Sequence, residues 1–290
     1  MSWRNGTIIT NPSLPQAPLQ QRLKQLDKIP EIPVSFDGRK VWAGLLTPIV
    51  NQKKCASCYA IANVSALNDR MNIVLGYKQR LSYKFLVKCL RNPGLLGCNG
   101  GSIWNAAKAL TEAPTPFYNT YKFHPSCRLP GIVANYAFTV TTPQMSIPNA
   151  VDALQREIML FGPVVSQMQM YQDFYDMWNN KLESQIYTYN GSAVSRGGHA
   201  VKIVGWGPTY WIVANSWGKT GGIDSSGYFY IRKGKNEAGI ELNGSVCATL
   251  SKTSAETQLA NLPLVIPWAV WAIGMLSILA VVLLFSKKSF

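Results

Sequence analysis

The order of hydrophobic patterns along the chain predicts an α+β protein of two lobes, helical first and β-rich second, plus one transmembrane helix near the end. Three observations carry that reading. Between Ser57 and Gly76 the apolar residues Ala60, Ile61, Val64, Leu67, Met71 and Val74 fall on one helical face, and Gly76 is a stop signal. From about Ala200 the pattern changes: 200–204, 210–214 and 228–232 are short β-rich runs separated by Gly and Ser turns. Residues 264–285 carry no charge. At about 1.5 Å per residue that run spans the roughly 30 Å of a bilayer core.

Taken in order, residues 1–30 are polar, with prolines at 12, 15, 18 and 30. They hold no apolar stretch of signal-peptide length and read as a short leader or reduced propeptide, with a short helix expected at Gln20–Asp27. The globular body is expected over 31–250. Further helices are expected at Ile103–Leu110 and Val151–Phe161, and a glycine-rich loop over Cys89–Gly101. Residues 251–263 read as a linker and 264–285 as the span, with Trp268 and Trp271 as interfacial anchors. Residues 286–290 form a basic tail. No internal repeat is present.

Of the 290 residues, roughly 220 remain without leader and tail, enough for two small lobes sharing a cleft. A hydrophobic content of 47% fits a globular chain. The net charge of +14 comes with no dense Lys/Arg block and no nucleic-acid motif, so it reads as a generally basic surface or attraction to anionic lipid. Nucleic acid is not an expected partner. Cys55-x-x-Cys58 lacks a second pair at ligand spacing, and the only histidines are His124 and His199. No metal site and no cofactor are expected.

Cys58 opens the predicted helix, where unpaired N–H groups and the helix dipole favour a thiolate. His199 lies where a loop enters a strand, placed to share a proton with a thiol. Asn215, at the end of the next strand, offers an amide that orients an imidazole. Gln52, six residues before Cys58, offers a side-chain N–H to an oxyanion. Spacing alone leaves this assignment open.

The motifs narrow it. Gln52-Lys53-Lys54-Cys55-Ala56-Ser57-Cys58-Tyr59-Ala60 resembles the nucleophile segment of the papain family of cysteine proteases. Leu81-Ser82, Leu86-Val87-Lys88-Cys89 and Gly97-Cys98-Asn99-Gly100-Gly101 resemble its next block. Gly198-His199-Ala200-Val201, Gly205-Trp206-Gly207 and Asn215-Ser216-Trp217-Gly218 resemble its base and orienter blocks. These segments stand in the family's order over about residues 33–248. Phe161-Gly162-Pro163-Val164, Tyr171-Gln172-Asp173-Phe174 and Gly239-Ile240-Glu241 resemble its cathepsin B-like branch.

The resemblance implies a papain-like two-lobed fold and a thiol endopeptidase acting on peptide or protein substrates, with a monomeric catalytic domain. Cys58, His199, Asn215 and Gln52 are its catalytic candidates. Gly100, Gly101, Trp217 and Asn243 are its substrate-facing candidates. It implies disulfides Cys55–Cys98 and Cys89–Cys127, leaving Cys247 as a small buried hydrophobe. The pair of adjacent histidines that makes the cathepsin B branch a carboxydipeptidase is missing. Tyr59 and Ala56 replace the usual Trp and Gly beside the nucleophile, and Gly221 stands where relatives often have a second shielding Trp. The Leu242-Asn243-Gly244-Ser245 stretch lacks the acidic residue of that branch's main pocket, which implies apolar or aromatic residues at the second position before the cut.

A catalytically silent papain-like binding module is the alternative, disfavoured by the presence of all four catalytic positions. The leader is too short for the family's helical prodomain, so only weak autoinhibition is expected. Topology signals conflict. The absence of a signal peptide points to the cytosol. Lys287 and Lys288, the resemblance of the ending to a dilysine signal, and the disulfides point to a lumenal or exterior domain. Sequons at Asn5, Asn63, Asn190 and Asn243 point the same way, weakly. A short leader with a tail anchor would suit a protease of a large DNA virus.

Overall fold

The computed structural model describes residues 6–7, 31–90, 93–180 and 186–262. A short strand β1 (Phe36–Asp37) and turn α1 (Gly38–Val41) lead into the long helix α2 (Cys58–Leu75). Helices α3 (Tyr83–Cys89), α4 (Ile103–Glu112) and α5 (Tyr118–Phe123) complete the helical lobe. Then come β2 (Tyr136–Thr141), α6 (Ile147–Phe161), β3 (Val164–Tyr171), α7 (Gln172–Asn179), β4 (Ile186–Tyr187), β5 (Ser195–Trp206), β6 (Tyr210–Ala214), β7 (Tyr228–Arg232), β8 (Ser245–Thr249) and α8 (Lys252–Asn261). The sheet order is β2-β8-β3-β5-β6-β7-β4, with β1 added beside β5. Among the strand pairs of the described residues only β4–β7 is parallel.

Helix α2 ends where the sequence predicts: Gly76 takes the left-handed conformation (φ 76°) that residues with a side chain avoid, and its N–H closes on Asn72 O. One apolar face was expected; α2 is instead buried nearly all round. Its apolar residues pack with Leu86, Trp104 and Leu110 of the helical lobe and with Val165, Ala200 and Val246 on one face of the sheet. Its polar residues are buried too, so each needs partners. Asn68 accepts from Leu81 N–H and donates to Gln79 O; Asn72 accepts from Gln79 N–H and donates to Leu45 O. The other sheet face holds a second core, rich in Trp206, Trp211, Trp217, Phe174 and Phe229.

Two buried ion pairs on consecutive residues tie α2 to the β lobe. Asp69 meets Lys202 of β5 and also accepts Thr47 N–H at 2.6 Å, while Lys202 Nζ donates to Thr47 Oγ1 at 3.0 Å. Arg70 pairs with Glu157 of α6 at 2.7 Å and donates to Pro163 O and Gly162 O at 2.8 and 2.9 Å. Burial pushes the Asp69 carboxyl up, more than Lys202 and Thr47 pull it down. The pair therefore adds little net stability, yet breaking it leaves a buried charge.

Several expectations need correction. Most of the expected linker is helix α8, which seats Ala255, Leu259 and Leu262 on the helical core and is tied by Gln258 to both backbone groups of Val133. The β lobe starts earlier than its pattern suggests: β2 and β3 precede residue 200, and α6 and α7 are embedded in it. The sequon at Asn63 is buried, with its amide donated to Tyr59 O. The leader beyond residues 6–7 and the span at 264–285 lie outside the described residues. Among the described residues no helix is long and apolar enough to cross a membrane.

Asp69→Asn leaves Lys202 buried without its counter-charge and is expected to cost about 3–5 kcal/mol, a fall of roughly 10 °C in Tm. Asp69→Leu combined with Lys202→Met should restore most of it. Calorimetry showing a fall of under 2 °C for Asp69→Asn would contradict this account of the interface.

Candidate active site

The start of α2 and the N-terminal half of β5 meet between the lobes. Cys58 is the first helical residue of α2, and His199 stands opposite Met168 in the β3–β5 ladder. His199 Nε2 donates to Asn215 Oδ1 at 2.9 Å, and Ser216 N–H donates to the same oxygen at 2.7 Å. Two donors on one oxygen fix the amide and, through it, the imidazole tautomer. Nδ1, the other ring nitrogen, is the one left to meet the thiol.

Cys58 is fully buried. Burial alone pushes its thiol up. The His199 charge, with hydrogen bonds from His199, the Ala200 backbone and Thr7, outweighs burial and lowers the thiol to about 7. A nucleophile in this state holds substantial thiolate at neutral pH, beside a group able to return a proton. Gln52 is buried as well. Its backbone N–H donates to Ser216 O at 2.8 Å and its Oε1 accepts from Ser216 Oγ, so the side-chain amide is anchored to the segment that carries Asn215.

A disulfide Cys55–Cys98 ties the turn before Cys58 to the glycine-rich segment, and Cys89–Cys127 closes the helical lobe, both as the resemblance implies. Ala56 N–H donates to Cys98 O, and Tyr59, in place of Trp, donates its hydroxyl to Gly97 O at 3.1 Å. Gly101 lies flat on the Tyr59 ring: a Cβ there would come within 2.7 Å of it. Cys247 is reduced and buried in the β core.

Trp217, expected among the substrate-facing residues, is fully buried. Its ring lies 5.0 Å from the His199 ring and stacks on Tyr175 at 5.0 Å. Motif reading missed the residue that completes this roof. At Gly221, where relatives often have a second Trp, Trp178 of α7 fills the space: its Nε1 would lie 2.5 Å from a Gly221 Cβ, and its ring meets Trp217 edge-on at 5.5 Å. Asn243 lies beside Gln167, whose Nε2 donates to Asn243 O. Gln167 pairs with Ala200 and so shares the sheet face that carries Gly198, a juxtaposition visible only once the strands are paired.

The leader enters this site. Gly101 N–H donates to Gly6 O at 2.6 Å, Thr7 N–H donates to Gly198 O at 3.2 Å, and Thr7 Oγ1 lies 3.5 Å from Cys58 Sγ. Thr7 bridges Gly101 in the parallel sense and Gly198 in the antiparallel sense. Gly101 thus bonds the backbone of Gly6, and Gly100 lies close against Gly6, whose O would sit 2.5 Å from a Gly100 Cβ. The expectation of weak autoinhibition takes a magnitude from these contacts: two such backbone bonds, at about 1 kcal/mol each, would compete with a substrate by tens of fold.

Comparisons with known proteins give the family and the fold. The family model described as papain family cysteine protease matches residues 32–248. The chain is 32% identical over 266 residues to a cathepsin B-like cysteine proteinase of Schistosoma japonicum, covering 77% of this chain and 74% of that one. It is 29% identical to cathepsin B-like cysteine proteinase 3 of Caenorhabditis elegans, covering 79% and 69%. Among solved structures, procathepsin B S9 of Trypanosoma congolense superposes with a TM-score of 0.66 at 24% identity over 84% and 85% of the two chains. The Carica candamarcensis cysteine protease CMS1MS2, solved with E-64, does so with 0.60 at 26% over 76% and 100%.

Gly6 admits no side chain, since a Cβ there would sit 2.2 Å from Ala56 O. Gly6→Val should therefore eject the leader and raise turnover of a small fluorogenic peptide by the full-length chain roughly ten- to thirtyfold. An unchanged rate would mean that the leader does not shield Cys58, and a rise of several orders of magnitude that it is a strong inhibitor.

Proposed function

The chain belongs to the papain family of cysteine proteases, and from that premise we propose that it is an active endopeptidase in which Cys58 attacks the scissile carbonyl. His199 takes the thiol proton and delivers it to the leaving amine. Asn215 holds the imidazole, and the Cys58 N–H and the Gln52 side chain hold the oxyanion. The observation that carries this reading is the convergence of a buried low-pKa thiol, the His199–Asn215 bond at 2.9 Å and the anchored Gln52 at the lobe boundary. Endopeptidase rather than carboxydipeptidase action is supported by the missing histidine pair. Neither Asn243 nor Gln167 carries a charge, which supports apolar or aromatic residues at the second position before the cut.

The domain is held to a membrane by residues 264–285, the protease domain on the lumenal or exterior side. Support comes from the charge-free run, the flanking Lys287 and Lys288, the two disulfides, and a sequon at the exposed Asn190. Protease protection of microsomes that left the domain undigested would fit this side; digestion in intact vesicles would place it in the cytosol.

An epoxysuccinyl inhibitor should label the wild type and leave Cys58→Ala unlabelled and inactive. Asn215→Ala should retain measurable turnover, having lost orientation but not chemistry. Wild-type peptidase activity in Cys58→Ala would refute the assignment.

A further inference from the structure

We propose that the leaving-group side of the cleft selects acidic substrate residues through Lys53, Lys54 and Lys219, an inference that rests on the endopeptidase reading above. These lysines come together only in the fold. Asn51 forms an antiparallel bridge with Trp217, Gln52 N–H donates to Ser216 O at 2.8 Å, and Gly218 N–H donates to Val50 O at 3.1 Å. Segments 50–54 and 215–219 therefore run side by side. Asn51 Oδ1 accepts Lys53 N–H at 2.9 Å, and Lys53 takes a left-handed turn conformation (φ 53°), so the turn that presents Lys53 and Lys54 is fixed at its base. Lys219 follows Gly218 on the neighbouring segment.

All three lysines are exposed, and none belongs to an ion pair among the described residues. The chain carries no Asp or Glu from 38 to 68, nor from 184 to 223. The segments that build this rim thus bring no counter-charge of their own.

Position gives the charge a role. Backbone extended along Gly101 and Gly198 occupies one side of Cys58, as Gly6 and Thr7 do. The lysines belong instead to the segments next to the base: Lys53 directly follows Gln52, which is bonded to Ser216, and Lys219 lies two residues beyond Trp217, whose ring lies against His199. His199 protonates the departing amine, so the chain beyond the scissile bond leaves past the three lysines. Each solvent-exposed contact with a carboxylate is worth roughly a two- to fivefold gain. It weakens with salt, because the Debye length shrinks to about 8 Å at physiological ionic strength and further above it.

The test uses the full-length chain and internally quenched peptides that are identical except for the two residues after the scissile bond: Asp-Glu, Gln-Gln or Lys-Lys. The ratio of kcat/KM values cancels any shielding by the leader. Asp-Glu over Gln-Gln is expected at about tenfold at low salt, with Lys-Lys the poorest. The ratio should fall toward one in 0.5 M NaCl and in the triple variant Lys53→Gln, Lys54→Gln, Lys219→Gln. A flat ratio, or one untouched by the triple variant, overturns this inference while leaving the endopeptidase reading intact. A flat ratio with lysine-dependent binding to phosphatidylserine vesicles would assign the cluster to a lipid surface instead. Cleavage of none of the peptides would overturn both readings.

Discussion

The proposed nucleophile and its base sit on different lobes, so the chemistry depends on how firmly α2 is held against β5. The fold meets that constraint with charge placed where water is absent. Asp69, three turns along α2 from Cys58, meets Lys202, three residues along β5 from His199. The next residue, Arg70, meets Glu157 and the Gly162–Pro163 backbone. Packing alone tolerates small slips between apolar surfaces. A buried ion pair does not, because a slip strands two desolvated charges. The same elements thus carry the reactive pair at one end and a registry device farther along.

From that fixed interface the site's electrostatics follow. Cys58 is deep enough that its thiol, by itself, would resist ionisation, and His199 reverses this. His199 is held by an oxygen that already accepts Ser216 N–H, and its bond to Asn215 is roofed by Trp217. Excluding water from that bond preserves its strength in a low-dielectric setting. Trp178 meets Trp217 from α7 and fills the space beside Gly221.

The sequence made legible whatever is written in local pattern. Helix α2 and its Gly76 stop, strands β6 and β7, the two disulfides and the four candidate catalytic residues were all readable from period or motif. What remained hidden depends on partners distant in the chain. Asn68, Asp69, Arg70 and Asn72 look like the solvent face of an amphipathic helix until the β lobe covers them. Residues 252–261 look like linker because their own pattern is polar; Ala255, Leu259 and Gln258, with Leu262 just beyond, are enough to dock them. Trp178 and Thr7, which meets Cys58, lie in none of the family-like blocks.

The central claim is that His199 makes Cys58 a thiolate in spite of its burial. Ultraviolet titration of the thiolate at 240 nm, in the wild type and in His199→Ala, tests it most directly. With the imidazole present, the thiolate should persist on acidification down to a half-point of about 7. Without it, burial acts unopposed by that charge, and the half-point should rise to or above the ordinary thiol value of about 8.5. Matching titrations for the two proteins, or a wild-type half-point at the ordinary thiol value, would contradict the account.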